Sequence, residues 1–257
     1  MSNWIFLRGL TREARHWGNF PSIFRAAIPS ANIFTLDLPG NGELHHLTSP
    51  LHVHEMVECC RQKLVRQAIS PPYYLLALSL GAMVSVEWAR RYPHELLGCV
   101  LINTSLRPFS PFYRRLRPRN YFRLLHTAAL EHDAEKIEHA ILRMTSHRSG
   151  QLTSVVATWV TYRTKHPVTG SNTLRQIIAA VRYRAPQKAP HVALLALAGA
   201  KDGLVDPQCS QAISDRWKSP LHTHPEAGHD LPLDDGVWVA QRIQEWVAAL
   251  ALPVEAR

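Results

Sequence analysis

Long apolar runs are missing from this chain of 257 residues. The longest, such as VALLALA at 192–198, stop far short of the roughly 20 residues that a bilayer-spanning helix needs. No transmembrane segment is therefore expected. Cysteine is scarce. The four present are Cys59, Cys60, Cys99 and Cys209, with no C-x-x-C pair, and the adjacent Cys59 and Cys60 cannot readily bridge each other. That excludes a disulfide framework and a paired zinc site, and leaves reduced, buried thiols. The N-terminus, MSNWIFLRGL, lacks the basic start and small-residue cleavage site of a signal peptide, so a cytoplasmic address is expected. Acidic side chains are also in short supply, 20 against 29 Lys and Arg, giving a net charge of +9. Such an excess points first to nucleic acid or an anionic surface.

What is present is ordinary globular material, 46% hydrophobic and 19% charged. The charge is not spread evenly. Residues 106–190 hold 15 Lys/Arg and 4 Asp/Glu, an excess of 11, while the rest holds 14 and 16. One third of the chain carries the whole imbalance, which marks it as a separate unit and argues against a nucleic-acid partner.

The hydrophobic pattern alternates between two periods. Mostly apolar runs at 4–7, 73–78, 96–103 and 191–198 read as buried strands, and 32–38 and 221–224 read as further strands. Between them lie helical patterns. One is expected to start at Ser49-Pro50 and to carry Val53, Met56, Val57, Cys60, Leu64 and Ala68 on one face. Others cover 12–28, 81–91, 206–217 and 237–250. The alternation predicts a mostly parallel sheet of about six strands flanked by helices. From 106 to about 189 it breaks. Only helical stripes appear there: Ala134, Ile137, Ile141, Met144; then Leu152, Val155, Val156, Trp159; then Leu174, Ile177, Ile178, Val181. Residues 1–105 and 190–257 are thus expected to form an α/β core, and 106–189 a helical insertion.

The sharpest local motif is Ala77-Leu78-Ser79-Leu80-Gly81, a serine between a buried strand and a helix with small residues two positions to either side. A nucleophile on a strained strand-to-helix turn needs small neighbours there, and the helix N-terminus favours developing negative charge. A base and an acid are required beside it. His229, in Gly228-His229-Asp230, follows the last strand, and Asp202, in Lys201-Asp202-Gly203, follows the strand before it. All three lie just beyond the carboxyl ends of strands, where open α/β sheets place their sites. Asp206 is a rival acid, and Lys-Asp-Gly is also ordinary turn chemistry. The histidine pairs His52/His54 and His222/His224 lack the carboxylates or further ligands of a metal site, so no metal and no cofactor is expected. Gly40-Asn41-Gly42 lacks the spacing of a phosphate loop.

In these residues, together with Arg8-Gly9, Trp17 and Asp37-Leu-Pro-Gly40-Asn-Gly42, the chain resembles an α/β-hydrolase, closest in kind to compact carboxylesterases such as the one in biotin synthesis. The resemblance implies a Ser79–His229–Asp202 triad and an oxyanion hole built from the backbone N–H groups of Leu10 and Leu80. It also implies a helical cap after the fourth strand, and cleavage of a small-molecule carboxylic ester. The same scaffold supports thioesterases and other acyl transfers, and a non-catalytic binder would keep the fold. Arg8 stands where the family usually has histidine. The basic stretch of Arg107, Arg114, Arg115, Arg117, Arg119 and Arg123, interleaved with Phe109, Phe112, Tyr113, Tyr121 and Phe122, is either a solvated face or a surface for an anionic acyl donor such as acyl carrier protein.

Overall fold

A computed structural model describes residues 1–121, 131, 133–148, 150 and 152–251. Phe122 and Arg123 of the basic stretch lie outside the described residues. Six strands form one sheet in the order β2-β1-β3-β4-β5-β6: β1 (Ser2–Leu7), β2 (Ala31–Leu36), β3 (Tyr73–Leu78), β4 (Leu96–Ile102), β5 (Ala193–Gly199) and β6 (Leu221–His224). Every neighbouring pair is parallel.

Both faces of the sheet are covered, which is why the strands read as unbroken apolar runs rather than as alternation. Successive side chains go to opposite cores. Ile5, Leu7, Leu75, Ala77, Cys99 and Leu101 enter one, with α2 (Val53–Arg66), α3 (Leu80–Arg91) and α8 (Gln208–Trp217) packed over it. Trp4, Phe6, Leu76, Leu78, Val100 and Ile102 enter the other, under α1 (Phe20–Ala27) and α9 (Leu231–Leu250).

Between β4 and β5 the chain leaves the sheet. Among the described residues it runs through a single turn, α4 (Phe112–Arg115), and three longer helices: α5 (Ala134–Thr145), α6 (Ser154–Lys165) and α7 (Gly170–Arg182). The excursion ends where it began. Arg107 and Arg184 form an isolated bridge, and the Ala185 N–H donates to the Arg107 carbonyl at 2.7 Å. Leu142, Val156 and Trp159 make a small core of their own between α5 and α6. Among the described residues no helix is long and apolar enough to cross a membrane.

Four local expectations are corrected. Ser49 does not cap α2, which begins at Val53; its hydroxyl donates to the Pro39 carbonyl at 2.7 Å and its N–H to Asn172 Oδ1 at 2.9 Å. Ala68 lies past the end of that helix, exposed, at a φ of 55°. The α7 stripe also faces differently. Leu174 and Val181 are 58% and 60% exposed, while Asn172, Gln176 and Ala179 are buried. The reason is the partner: at Asn172 and Gln176 α7 docks on a polar loop, and it is Ala179 that reaches the main apolar core. Gln176 donates to Asn41 Oδ1 and Ser49 Oγ and accepts from the Thr11 N–H, and Asn172 donates to the Leu47 carbonyl. Finally, α9 starts at Leu231 rather than 237, because it is two helical pieces joined at Asp235, whose φ and ψ are −153° and 78°. Asp235 Oδ1 caps the second piece at the Trp238 N–H, 3.0 Å away.

Candidate active site

Ser79 sits at the junction of β3 and α3 with φ 56° and ψ −113°, a strained conformation for a residue with a side chain. The surroundings hold it there. Its N–H donates to the Ile102 carbonyl at 2.9 Å, and its carbonyl accepts from the Thr104 hydroxyl at 3.0 Å. Gly81 explains the tightness of the turn. A Cβ there would stand 2.6 Å from the Leu7 carbonyl oxygen and 2.7 Å from that of Arg8, so a side chain would push α3 off the end of β1. A Cβ on Gly9 would stand 3.1 Å from that of Ser79. The loop after β1 is thus pressed against the serine. Among the described residues, the N–H groups of Leu10 and Leu80 on either side carry no hydrogen bond.

His229 and Asp202 meet. Nδ1 of the imidazole is 2.7 Å from Asp202 Oδ2, and both side chains are buried. The second carboxylate oxygen of Asp202 accepts from the N–H groups of Leu204 and Val205 at 2.8 and 2.9 Å, which fixes the carboxylate plane. Asp206 is elsewhere: it accepts from the Gln208 N–H at the start of α8.

Several residues that no motif flagged hold these loops. Asn103, just past β4 with φ 44°, donates from Nδ2 to the Gly228 and His229 carbonyls, while its Oδ1 accepts from the Gly199 N–H. One amide therefore ties the acid-bearing strand to the histidine loop. Asp234 accepts from the Gly228 N–H at 2.6 Å, the Ser146 hydroxyl at 2.5 Å and the His147 N–H at 3.1 Å. The Asp230 N–H donates to the Thr145 carbonyl at 2.7 Å. The histidine loop is in this way fastened to the carboxyl end of α5.

Arg8 has a clear place. Its two terminal nitrogens reach both carboxylate oxygens of Asp230, at 3.0 and 2.5 Å, with the side chains 3% and 4% exposed. The guanidinium also lies over the Trp17 ring, 4.8 Å from its centroid. The pair joins the end of β1 to the residue after His229, in the manner of a bidentate clamp.

Ser79, His229 and Leu10 line one cavity of about 130 Å³, whose other walls include Ile137, Ile141, Met144, Ile177 and Leu204. Of the basic residues expected to face an anionic donor, Arg115 donates inward to the Ala180 carbonyl and Arg119 to that of Gly203. Arg107 and Arg114 are exposed. Among the described residues no group of three His, Cys, Asp or Glu side chains could hold a metal ion. The rings of His52 and His54 stack on each other, and His224 pairs with Asp235.

Known structures share this architecture. An esterase from Thermogutta terrifontis, solved with malate bound, is 20% identical over 98% of this chain and 91% of its own, with a TM-score of 0.77. A candidate aryl esterase from Burkholderia cenocepacia is 18% identical over 96% and 90%, at 0.75. A candidate non-heme bromoperoxidase from Mycobacterium tuberculosis H37Rv is 19% identical over 98% and 94%, at 0.74. At such identities the likeness is one of fold, and the reaction is decided by the site. A search of curated proteins finds no match. The family model of the alpha/beta hydrolase fold matches residues 5–236, and with a six-stranded parallel sheet beneath it the chain belongs to that family.

Proposed function

We propose that the protein is a serine hydrolase that cleaves small carboxylic esters through an acyl-enzyme. The observation that carries this reading is the buried His229–Asp202 contact at 2.7 Å, sharing one cavity with a serine held in a strained turn. With Nδ1 committed to the carboxylate, Nε2 is the nitrogen left to take the Ser79 proton as its oxygen attacks the acyl carbon. The tetrahedral oxyanion would lie between the N–H groups of Leu10 and Leu80, where losing one such donor costs about 3–4 kcal/mol. His229 then gives its proton to the departing alcohol. A water, deprotonated by the same nitrogen, releases the acid and returns Ser79. Residues 106–189 serve as the cap that closes the cavity.

Two observations favour serine over thiol chemistry. Burial pushes the Cys60 thiol up to about 12 and that of Cys99 higher still, so neither supplies a thiolate. Neither residue lines the cavity. Labelling with a fluorophosphonate probe and hydrolysis of p-nitrophenyl acetate test the assignment together. Both are expected in the parent protein and lost in Ser79→Ala. A Ser79→Ala protein that kept the parental esterase rate would refute it.

A further inference from the structure

The cavity lining carries more positive charge than the neighbouring carboxylates balance. Three arginines line it: Arg8, Arg12 and Arg163. Arg8 is matched by Asp230. Arg12 and Arg163 share a single partner, Glu138, at 2.7 and 2.6 Å, one to each carboxylate oxygen. The next acid, Glu13, is held by Arg15 and His166 instead. His16 touches Arg12 Nη1 through Nε2, but burial and then the charges of Arg12 and Arg8 push it well below its ordinary value, so it is neutral. One guanidinium charge is therefore left over, shared between Arg12, whose side chain is 8% exposed, and Arg163, whose side chain is 21% exposed.

The unused donors can be named. Arg12 is 7% exposed, its guanidinium lies 4.3 Å from the Trp159 centroid, and its Nη2 is buried without an acceptor. Arg163 bonds Glu138 through Nε alone, which leaves both terminal nitrogens without a partner among the described residues. Burial lowers the Arg12 value below that of a free guanidinium. An uncompensated buried cation is costly, and an anion brought into hydrogen-bond reach offsets that cost. Arg presents two parallel donors, the shape that a carboxylate accepts.

We propose that the ester this site accepts carries a second, anionic group, a carboxylate, which docks against Arg12 and Arg163 while the ester carbonyl lies at Ser79. This rests on the reading of the cavity as an esterase site and names the substrate class for it. The carboxylate belongs either to the acyl chain, as in a half-ester of a dicarboxylic acid, or to the alcohol.

The test uses matched pairs at constant ionic strength. Mono-p-nitrophenyl adipate is compared with its methyl ester, and p-carboxyphenyl acetate with its methyl ester. One of the two anionic esters is expected to exceed its neutral twin by about tenfold or more in kcat/KM, the factor that one charge-assisted hydrogen bond supplies. The pair that shows it tells which side of the ester carries the carboxylate. That ratio should fall toward one in Arg163→Gln and be largely kept in Arg163→Lys. If both neutral twins react as fast as the anionic esters, the inference is overturned while the esterase reading stands. A binding measurement separates the two in the other direction. Thermal unfolding of the Ser79→Ala protein is followed with adipate and with dimethyl adipate. A rise with adipate alone, lost in the Ser79→Ala/Arg163→Gln protein, supports the carboxylate site even if no ester is turned over. No rise with adipate, together with equal rates within each ester pair, refutes it.

Discussion

Replacing Arg8 by methionine would strand the Asp230 carboxylate in a place that water barely reaches. The two side chains are 3% and 4% exposed, and the guanidinium supplies hydrogen bonds to both oxygens. Methionine keeps much of the apolar stem but supplies neither a donor nor the cation over Trp17. Breaking a pair buried to this degree costs about 3–5 kcal/mol, because an uncompensated charge is left behind. In a chain of this size each kcal/mol shifts Tm by about 2–4 °C, so a fall of about 6–20 °C is expected. The reciprocal Asp230→Leu should cost as much. The double variant Arg8→Met/Asp230→Leu removes both charges and should recover most of the loss, since apolar replacement of a whole buried pair is often neutral. Urea unfolding of the four proteins gives the coupling energy, expected at about 3 kcal/mol or more. Single variants that each cost under about 1 kcal/mol, the range of exposed pairs, would refute the reasoning. So would a double variant that lost the sum of the two. Asp230 directly follows His229, so the singles should also slow fluorophosphonate labelling of Ser79.

Other outcomes follow from the same geometry. Asp202→Asn should lower kcat by about 10⁴-fold on p-nitrophenyl acetate, as loss of the orienting acid does in triads; Asp206→Asn should leave it near the parental value. The opposite ranking would move the acid. Burial pushes the Glu138 carboxyl up, but Arg12 and Arg163 beside it hold it below its ordinary 4.5. The folded value is therefore the lower one. Its stabilisation is present in full above the ordinary 4.5 of the unfolded chain and is lost as pH falls from there through the depressed value. Measured from about pH 6 to about pH 3, Tm of the parent should fall more steeply than that of Glu138→Gln, and parallel slopes would count against the cluster.

Local chemistry was legible in the chain; distant pairing was not. The run at 73–78 coincides with β3, because a strand buried on both faces leaves an unbroken apolar signature; 221–224 coincides with β6, an edge strand of mixed sequence. Ser79, Asp202 and His229 are each announced by a few neighbouring residues, and parallel topology brings strand ends together without further instruction. The clamp of Arg8 on Asp230 spans 222 positions and that of Arg12 on Glu138 spans 126. No window of sequence joins such residues, so Arg8 read only as a departure from the family. The reversed α7 shows the other limit. Periodicity locates a helix and its apolar stripe, but it does not tell whether the surface opposite is apolar. Here that surface is a loop of free carbonyls and side-chain amides, and Gln176 and Asn172 meet it better than Leu174 or Val181 could.

The fastening of the histidine loop to α5 bears on how this scaffold can be altered. Thr145, Ser146 and His147 come from the segment between β4 and β5, yet they supply the acceptor and two of the donors that fix residues 228–234. Grafting a foreign helical segment between residues 106 and 189 would therefore change the seat of His229, the base of the proposed reaction, along with the cavity. A chimaera that changes selectivity without disturbing the proton relay has to keep its junctions clear of 145–147, and draw its variation from α6, α7 and the first turns of α5.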